Sequence, residues 1–448
     1  MQHHAYELRN YDETLMHLEA RRDDYGREYL VAAEIEPGVE RLLPMPVLRA
    51  LSQAPTAGPG TASETGASSS LDSPPTTDET PSPAKAPHDA ILDATWSWMR
   101  SRVVPRNRTF VSSLLAQAGL VAGDTLGIIN LCKGLSVNDA YWIVPEGFDG
   151  RYADFNLFDN ELDEVLSLVA YTGYTSSQHR RLGLSSEWTT DGQAAKAWRR
   201  IDGQLLLYKA GTEGYANAGT EPYSELFCSQ VAERAGLAHV PYRLDRWQGK
   251  LASVCPLMHG PDVAFVPWHA ATGATTVAAS LRAAHELGPA TLDAIRAMYV
   301  FDALVHNPDR HTNNFGVLRD CHSGEILGPA PLFDHNLALF AGDMASDFAG
   351  WPERGGKDRP SGTGMTLDGL ARLVMSEKAR AALQRLANAG TPLLTDDDRH
   401  PIGAARVAAL NAYLRERCCQ LLELPIREEA DLFTTLDELE STALTRAR

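Results

Sequence analysis

The sequence predicts an α+β chain of two lobes, a strand-rich one followed by a helical one. Between about residues 184 and 258, short apolar runs alternate with hairpin turns, whereas after residue 280 the apolar residues fall at helical spacing. Strands first and helices later is the pattern of an α+β architecture. The third observation is a biased stretch from Gln53 to about His88, nearly all Ala, Pro, Thr, Ser, Gly and acid, beyond which the chain runs on as one body.

Taken in order, residues 1–52 form a small β-rich segment, with Glu28–Glu36 as its plainest strand and Leu42-Leu43-Pro44 near its end. A segment of that size is marginal alone and is expected to dock on the body. Residues 53–90 are expected to be a disordered linker, because such a composition buries too little apolar surface to offset its ordering entropy. The strand-rich lobe is assigned to 91–258 and the helical lobe to 259–448. In the first lobe, Gln204-Leu-Leu-Leu-Tyr-Lys209 follows the turn Asp202-Gly203, and Pro241–Trp247, Gln248-Gly249, Lys250–Cys255 reads as a hairpin. Between them lies a helix from Pro222 to Ala235, with Thr220 as its cap and Gly236 as its left-handed stop.

Composition narrows the function. The 448 residues are 44% hydrophobic, enough for a packed core, and carry a net charge of −17, which argues against a nucleic-acid or anionic-membrane surface. No apolar run approaches the ~20 residues of a bilayer span. Six cysteines without a C-x-x-C pair suit a reducing cytoplasm, and the polar first ten residues lack a secretory leader pattern, so a cytoplasmic location is expected.

The chemistry concentrates in Phe301–Leu318. Apolar Ile295, Met298, Tyr299 and Phe301 mark a helix that Asn307-Pro308 ends. A polar loop follows, then a strand at Phe315–Leu318, the turn His322-Ser323-Gly324, and a second strand expected to end at Leu332-Phe333-Asp334. Asp309 and, five residues on, Asn314 reproduce the D-x-x-x-x-N spacing of a kinase catalytic loop. The hairpin would fold Asp334 back beside Asn314, so that an amide oxygen and a carboxylate could share one Mg²⁺ while a further carboxylate handles the acceptor hydroxyl. Upstream, Lys209 ends a strand and Glu225 sits early in the next helix, the order of a phosphate-binding lysine and its ion-pair partner.

These segments resemble the HipA-like serine/threonine kinases. The resemblance rests on Asn307-Pro-Asp-Arg-His-Thr-Asn-Asn-Phe-Gly316, Pro331-Leu-Phe-Asp-His-Asn-Leu-Ala-Leu339 and Ser224-Glu225-Leu-Phe-Cys-Ser-Gln-Val-Ala-Glu-Arg-Ala-Gly-Leu237. Further likeness to a bacterial subgroup lies in Leu135–Ile143 and Trp198–Lys209, and the match covers most of 91–430. It implies a bilobal kinase-like fold, ATP and Mg²⁺ as cofactors, and transfer of the γ-phosphate to Ser or Thr of a protein, the chain itself included. By the resemblance Asp309 is the catalytic base, Asn314 and Asp334 are metal ligands, and Lys209 is the ATP-phosphate lysine, with Glu225 as its partner. His311 is expected to bond backbone within the loop and position Asp309.

The sequence departs from kinases elsewhere. No G-x-G-x-x-G covers the phosphates; Leu184–Lys196 takes its place, with Thr190 and Gly192 as expected phosphate contacts. The hydroxyls of Ser185, Ser186, Thr189 and Thr190 are expected to be exposed there, open to self-phosphorylation. Met258, after the last strand of the first lobe, is expected at an interlobe hinge beside adenine. Asp334 is followed by His335-Asn336 rather than Phe-Gly. Three alternatives stand beside the protein-kinase reading: a small-molecule or lipid kinase, a pseudokinase scaffold, and a metal hydrolase built on His306, His311 and His335.

Overall fold

The computed structural model describes residues 2–53, 87–174, 182–214, 218–360, 363–390 and 392–446. The chain opens on three strands, β1 (Gln2–Asn10), β2 (Glu13–Arg22) and β3 (Glu28–Ile35), each antiparallel to the next. Two helices follow, α1 (Met45–Gln53) and α2 (Pro87–Ser101), which pack on each other, with α2 also against β3. Most of the linker expected at 53–90 lies outside the described residues, but its two ends are helical. Asp89 sits in the first turn of α2, favourable to a helix start, and Ile91 and Leu92 pack into the core under the N-terminal sheet.

Next come α3 (Val111–Ala116), α4 (Thr125–Cys132), β4 (Tyr141–Pro145) and α5 (Glu164–Thr172). Strand β4 pairs with β1, giving the order β3-β2-β1-β4, so the N-terminal segment and the stretch after the linker share one sheet. A second antiparallel sheet, in the order β5-β6-β8-β7, contains β5 (Lys196–Ile201), β6 (Gln204–Ala210), β7 (Arg243–Trp247) and β8 (Lys250–Pro256). The β7–β8 hairpin turns through Gln248 and Gly249, both at positive φ (+53° and +77°), as a two-residue hairpin requires.

Helix α6 (Glu221–Ala235) lies between β6 and β7 and ends on left-handed Gly236. Thr220 does not cap it by side chain. Its backbone is already helical, and its hydroxyl instead accepts from Gly342 N at 2.9 Å, tying α6 to the segment beyond Asp334.

The remaining chain is mainly helical around a third, three-stranded sheet of order β11-β10-β9, formed by β9 (Val263–Pro267), β10 (Gly316–Asp320) and β11 (Ile326–Pro329). Between β9 and β10 run α7 (Trp268–Thr272), α8 (Val277–Glu286) and α9 (Pro289–Leu304). After β11 come α10 (Trp351–Lys357), α11 (Leu367–Val374), α12 (Glu377–Asn388), α13 (Ala404–Leu422) and α14 (Glu429–Arg446). Helix α9 is buried almost all round, the mark of a central helix, and Leu292, Ile295, Met298 and Phe301 join the largest core. The second strand of the hairpin stops at Pro329, short of the expected Asp334. Pro329 and Pro331 cannot donate to a ladder, and the chain re-pairs beyond them through a parallel bridge between Leu332 and His239.

Candidate active site

Strand β6 is central in its sheet, flanked by β5 and β8, and it presents Lys209 with 10% of its side chain exposed. Facing it from α6 is Glu225, which is fully buried, and the ammonium donates to Glu225 Oε1 at 3.1 Å. The same ammonium donates to Asp334 Oδ1. Glu225 Oε2 accepts from the backbone N–H of His335 at 2.8 Å, so one carboxylate holds both the lysine and the residue after Asp334. Burial disfavours the charged lysine, but Asp334 and Glu225 outweigh it and keep the ammonium protonated. Burial likewise pushes Asp334 up, yet Lys209 and then Lys196 pull its carboxyl net down to about 2.

The Asp309–Asn314 loop is built from the end of α9. Asn307 donates through its side chain to Asp302 Oδ1 (2.8 Å) and accepts from Asp309 N (3.2 Å), which sets the start of the loop. Asn314 Nδ2 donates to Asp309 O at 3.0 Å, closing the loop and leaving the amide oxygen as the Asn314 group free of that bond. Arg310, with no exposed side-chain surface, binds both Asp302 oxygens at 2.9 Å and also reaches the carbonyls of Asn314 and Phe333 and His335 Nε2. One guanidinium thus fixes the Asp309–Asn314 loop against the Asp334 segment, a job that needs its planar fork. His335 accepts from Arg310, and burial with that neighbouring charge drives its pKa well down, so it is a neutral imidazole.

Asp334 itself has φ +56°, unusual for a residue with a side chain, and is held there by its ties to Lys209 and Glu225 through the next residue. Asp309 remains about one-third exposed, and burial of the rest raises its carboxyl, opposed by His311. A partly open carboxylate with a raised pKa suits proton acceptance from a hydroxyl.

The structure therefore gathers Lys209, Glu225, Asp334, Asn314 and Asp309 around one locus. His311 lies at its rim: its N–H donates to Asp309 O (3.0 Å), its ring Nδ1 accepts from Asn313 N (3.3 Å), and Nε2 is 4.0 Å from Asp309 Oδ2. Met258 stands in the turn between β8 and β9, on the connection between the two sheets and outside these polar contacts. Thr190 Oγ1 donates to Ser186 O at 2.7 Å, and Gly192 adopts φ +89°. The expected exposure of the loop hydroxyls is corrected: Ser185, Ser186 and Thr189 are buried, with Thr189 Oγ1 donating to Leu135 O, because Trp188 plants the loop in a core. The three histidines of the hydrolase alternative are likewise dispersed. His306 bonds Asp358 and His335 bonds Arg310, and no group of three or more metal-ligating side chains occurs among the described residues.

One residue of the site has no counterpart in the sequence reading. Lys196 opens β5 directly across the ladder from Lys209, is buried, and has its ammonium packed where a side chain on Gly192 would begin. Burial and then the charge of Lys209 lower its pKa to about 8. Like charges directly opposite on a sheet repel, and here the Asp334 carboxylate acts on both lysines. Only the register β5–β6, invisible along the sequence, discloses the facing pair.

No protein-family model matches the chain, and no curated protein sequence matches it. Solved structures do. HipA, from the Shewanella oneidensis MR-1 toxin–antitoxin complex of HipA, HipB and operator DNA, aligns over 94% of this chain and 100% of its own, at 12% identity and a TM-score of 0.51. The Helicobacter pylori proinflammatory kinase CtkA aligns over 55% of this chain and 95% of its own, at 18% identity and a TM-score of 0.41. The likeness to HipA extends over nearly the whole chain and shows the fold, which is HipA-like and kinase-type.

Proposed function

We propose that this HipA-like fold carries an ATP- and Mg²⁺-dependent phosphotransferase acting on Ser or Thr hydroxyls of a protein. The observation that carries the reading is the convergence of Lys209, Glu225 and Asp334 in one ion triad beside the Asp309–Asn314 loop. The site fits the cofactor: Asp334 and Asn314 offer the hard oxygen donors that Mg²⁺ prefers, and Lys209 and Lys196 offer cations for phosphate. When bound, MgATP supplies the phosphoryl group and the divalent charge that neutralises it.

The chain's own residues do the rest. Lys209, aimed by Glu225, binds phosphate oxygens, and Asp334 with the Asn314 amide oxygen holds the cation. Asp309 orients the acceptor hydroxyl and accepts its proton. His311 steadies the loop from outside, and Met258 borders the base from the turn between the sheets. In this reading the nucleotide would sit between the β5–β6–β8–β7 sheet, which carries Lys209, and the α9–β10 connection, which carries Asp309 and Asn314. Six free cysteines support a reducing, cytoplasmic setting, and no helix among the described residues is long and apolar enough to cross a membrane.

Incubation with MgATP and panels of peptides, metabolites and lipids, read by mass and peptide mapping, tests the reading. Phosphate is expected on Ser or Thr, and Asp309→Asn is expected to lower transfer by at least about a hundredfold at unchanged thermal stability. Transfer only to metabolites or lipids would reassign the acceptor, and transfer that survives Asp309→Asn would remove the catalytic assignment.

A further inference from the structure

In the usual kinase arrangement a glycine-rich loop covers the phosphates. Here the loop at 186–196 has a single glycine, Gly192, and is held from outside. Val104 N donates to Trp188 O at 2.6 Å and Thr109 N donates to Gln193 O at 2.9 Å. Between these two ties stands Arg108, 2% exposed. Its guanidinium donates to Glu187 O (2.7 Å), Lys196 O (2.8 Å) and Thr190 O (3.4 Å), and pairs with the Glu187 carboxylate. Glu187, also buried, accepts from Trp198 N at 2.9 Å through its other oxygen.

A buried ion pair of this kind is not explained by stability alone, since apolar residues of similar volume often serve as well. What the pair does is geometric. One planar fork spans the loop and the first residue of β5, so it sets the height of the loop above the sheet and the position from which Lys196 projects. We propose that Arg108, through Glu187, is a positioning residue for the nucleotide site, fixing the 187–196 loop and Lys196 in place before nucleotide arrives. The inference rests on the MgATP reading for its ligand. The loop is then a pre-set cradle, and nucleotide affinity depends on a segment that precedes the second sheet in sequence and never touches the ligand.

The test uses the full chain, Arg108→Lys and the paired Arg108→Met/Glu187→Leu variant, with ligand-free amide hydrogen exchange and MgATP titration by calorimetry. Arg108→Lys keeps a charge for Glu187 but loses the fork, and the paired variant leaves no lone buried charge. Both are expected to stay folded, to speed exchange of the 187–198 amides by about tenfold or more, and to weaken MgATP binding by about tenfold. At saturating MgATP, kcat is expected to stay within about twofold, the signature of lost positioning in the binding step. Wild-type exchange and affinity in the paired variant would overturn the proposal, as would unfolding of both variants, which would make the pair a core element. A wild-type chain that binds no MgATP would instead remove the nucleotide reading, a result separate from unchanged loop exchange in Arg108→Lys.

Discussion

Lys196 and Lys209 face each other across one rung of the β5–β6 ladder; Lys209 donates directly to Glu225 and Asp334, whereas Asp334 and Asp191 act on Lys196 without outweighing its burial and the Lys209 charge. The unequal pairing has a measurable consequence. Burial and then the charge of Lys209 hold the Lys196 pKa down to about 8, and in the proposed complex phosphates would favour its charged form. MgATP affinity should therefore be fully present below that pH and fall above it, because binding must then take up a proton, by up to about tenfold per pH unit. Calorimetric titrations from about pH 7 to about pH 9 should display this fall in the wild type and a flat profile in Lys196→Met. A pH-independent wild type would detach Lys196 from the phosphates. The sequence singled out Asp309, Asn314, Asp334, Lys209 and Glu225 because their spacing and their positions on elements match a kinase pattern. It did not disclose Lys196, Arg310 or Asp302, whose roles arise from a cross-strand register and a buried ion pair.

Among the elements, the three-stranded sheet does most to place the site, since β10 leaves the Asp309–Asn314 loop directly. Gly316 opens β10 opposite Pro267, and a Cβ there would lie 2.1 Å from Val266 O and 2.9 Å from the Phe265 ring. Gly316→Ala must push β9 and β10 apart and is expected to cost about 1–3 kcal/mol, read by thermal denaturation, and to weaken MgATP binding as Asn314 shifts. An unchanged melting temperature would mean that the sheet yields without cost. The helices α6 and α9 and the hairpins β7–β8 and β10–β11 were legible from local turn chemistry and apolar spacing. Strand β9 was not, since five residues, Val-Ala-Phe-Val-Pro, carry no periodicity of their own and pair only with a strand beyond three helices. The Thr220 cap failed for a related reason: its hydroxyl found a partner at Gly342, far along the chain.

For the molecule as a whole, the N-terminal sheet is clasped to the hairpin that leads to Asp334. Arg319 on β10, 2% exposed, donates to the carbonyls of Leu43 and Gly324 at 2.8 Å, to Arg41 O, and to the Tyr141 hydroxyl at 3.0 Å. Asn10 adds a bond to Cys321 O. Arg319→Met would leave several buried acceptors unpaired and is expected to cost about 3 kcal/mol or more in denaturant unfolding followed by tryptophan fluorescence. A loss below about 1 kcal/mol would mean that the N-terminal sheet docks by apolar contact alone. The lobe order was readable from composition and period; the sharing of one sheet by β1 and β4 was not, because pairing between distant segments leaves no local mark.

At this scale the −17 charge and the site are compatible, since a specific anion needs only a few well-placed cations. The most direct check is calorimetric titration of ATP, with and without Mg²⁺, into the wild type, Lys209→Met and Asp334→Asn. Saturable, Mg²⁺-dependent binding is expected in the wild type, with at least about tenfold weaker binding in Lys209→Met and loss of the Mg²⁺ dependence in Asp334→Asn. Equal Mg²⁺-dependent affinity in all three proteins, or no binding by the wild type, would contradict the MgATP reading.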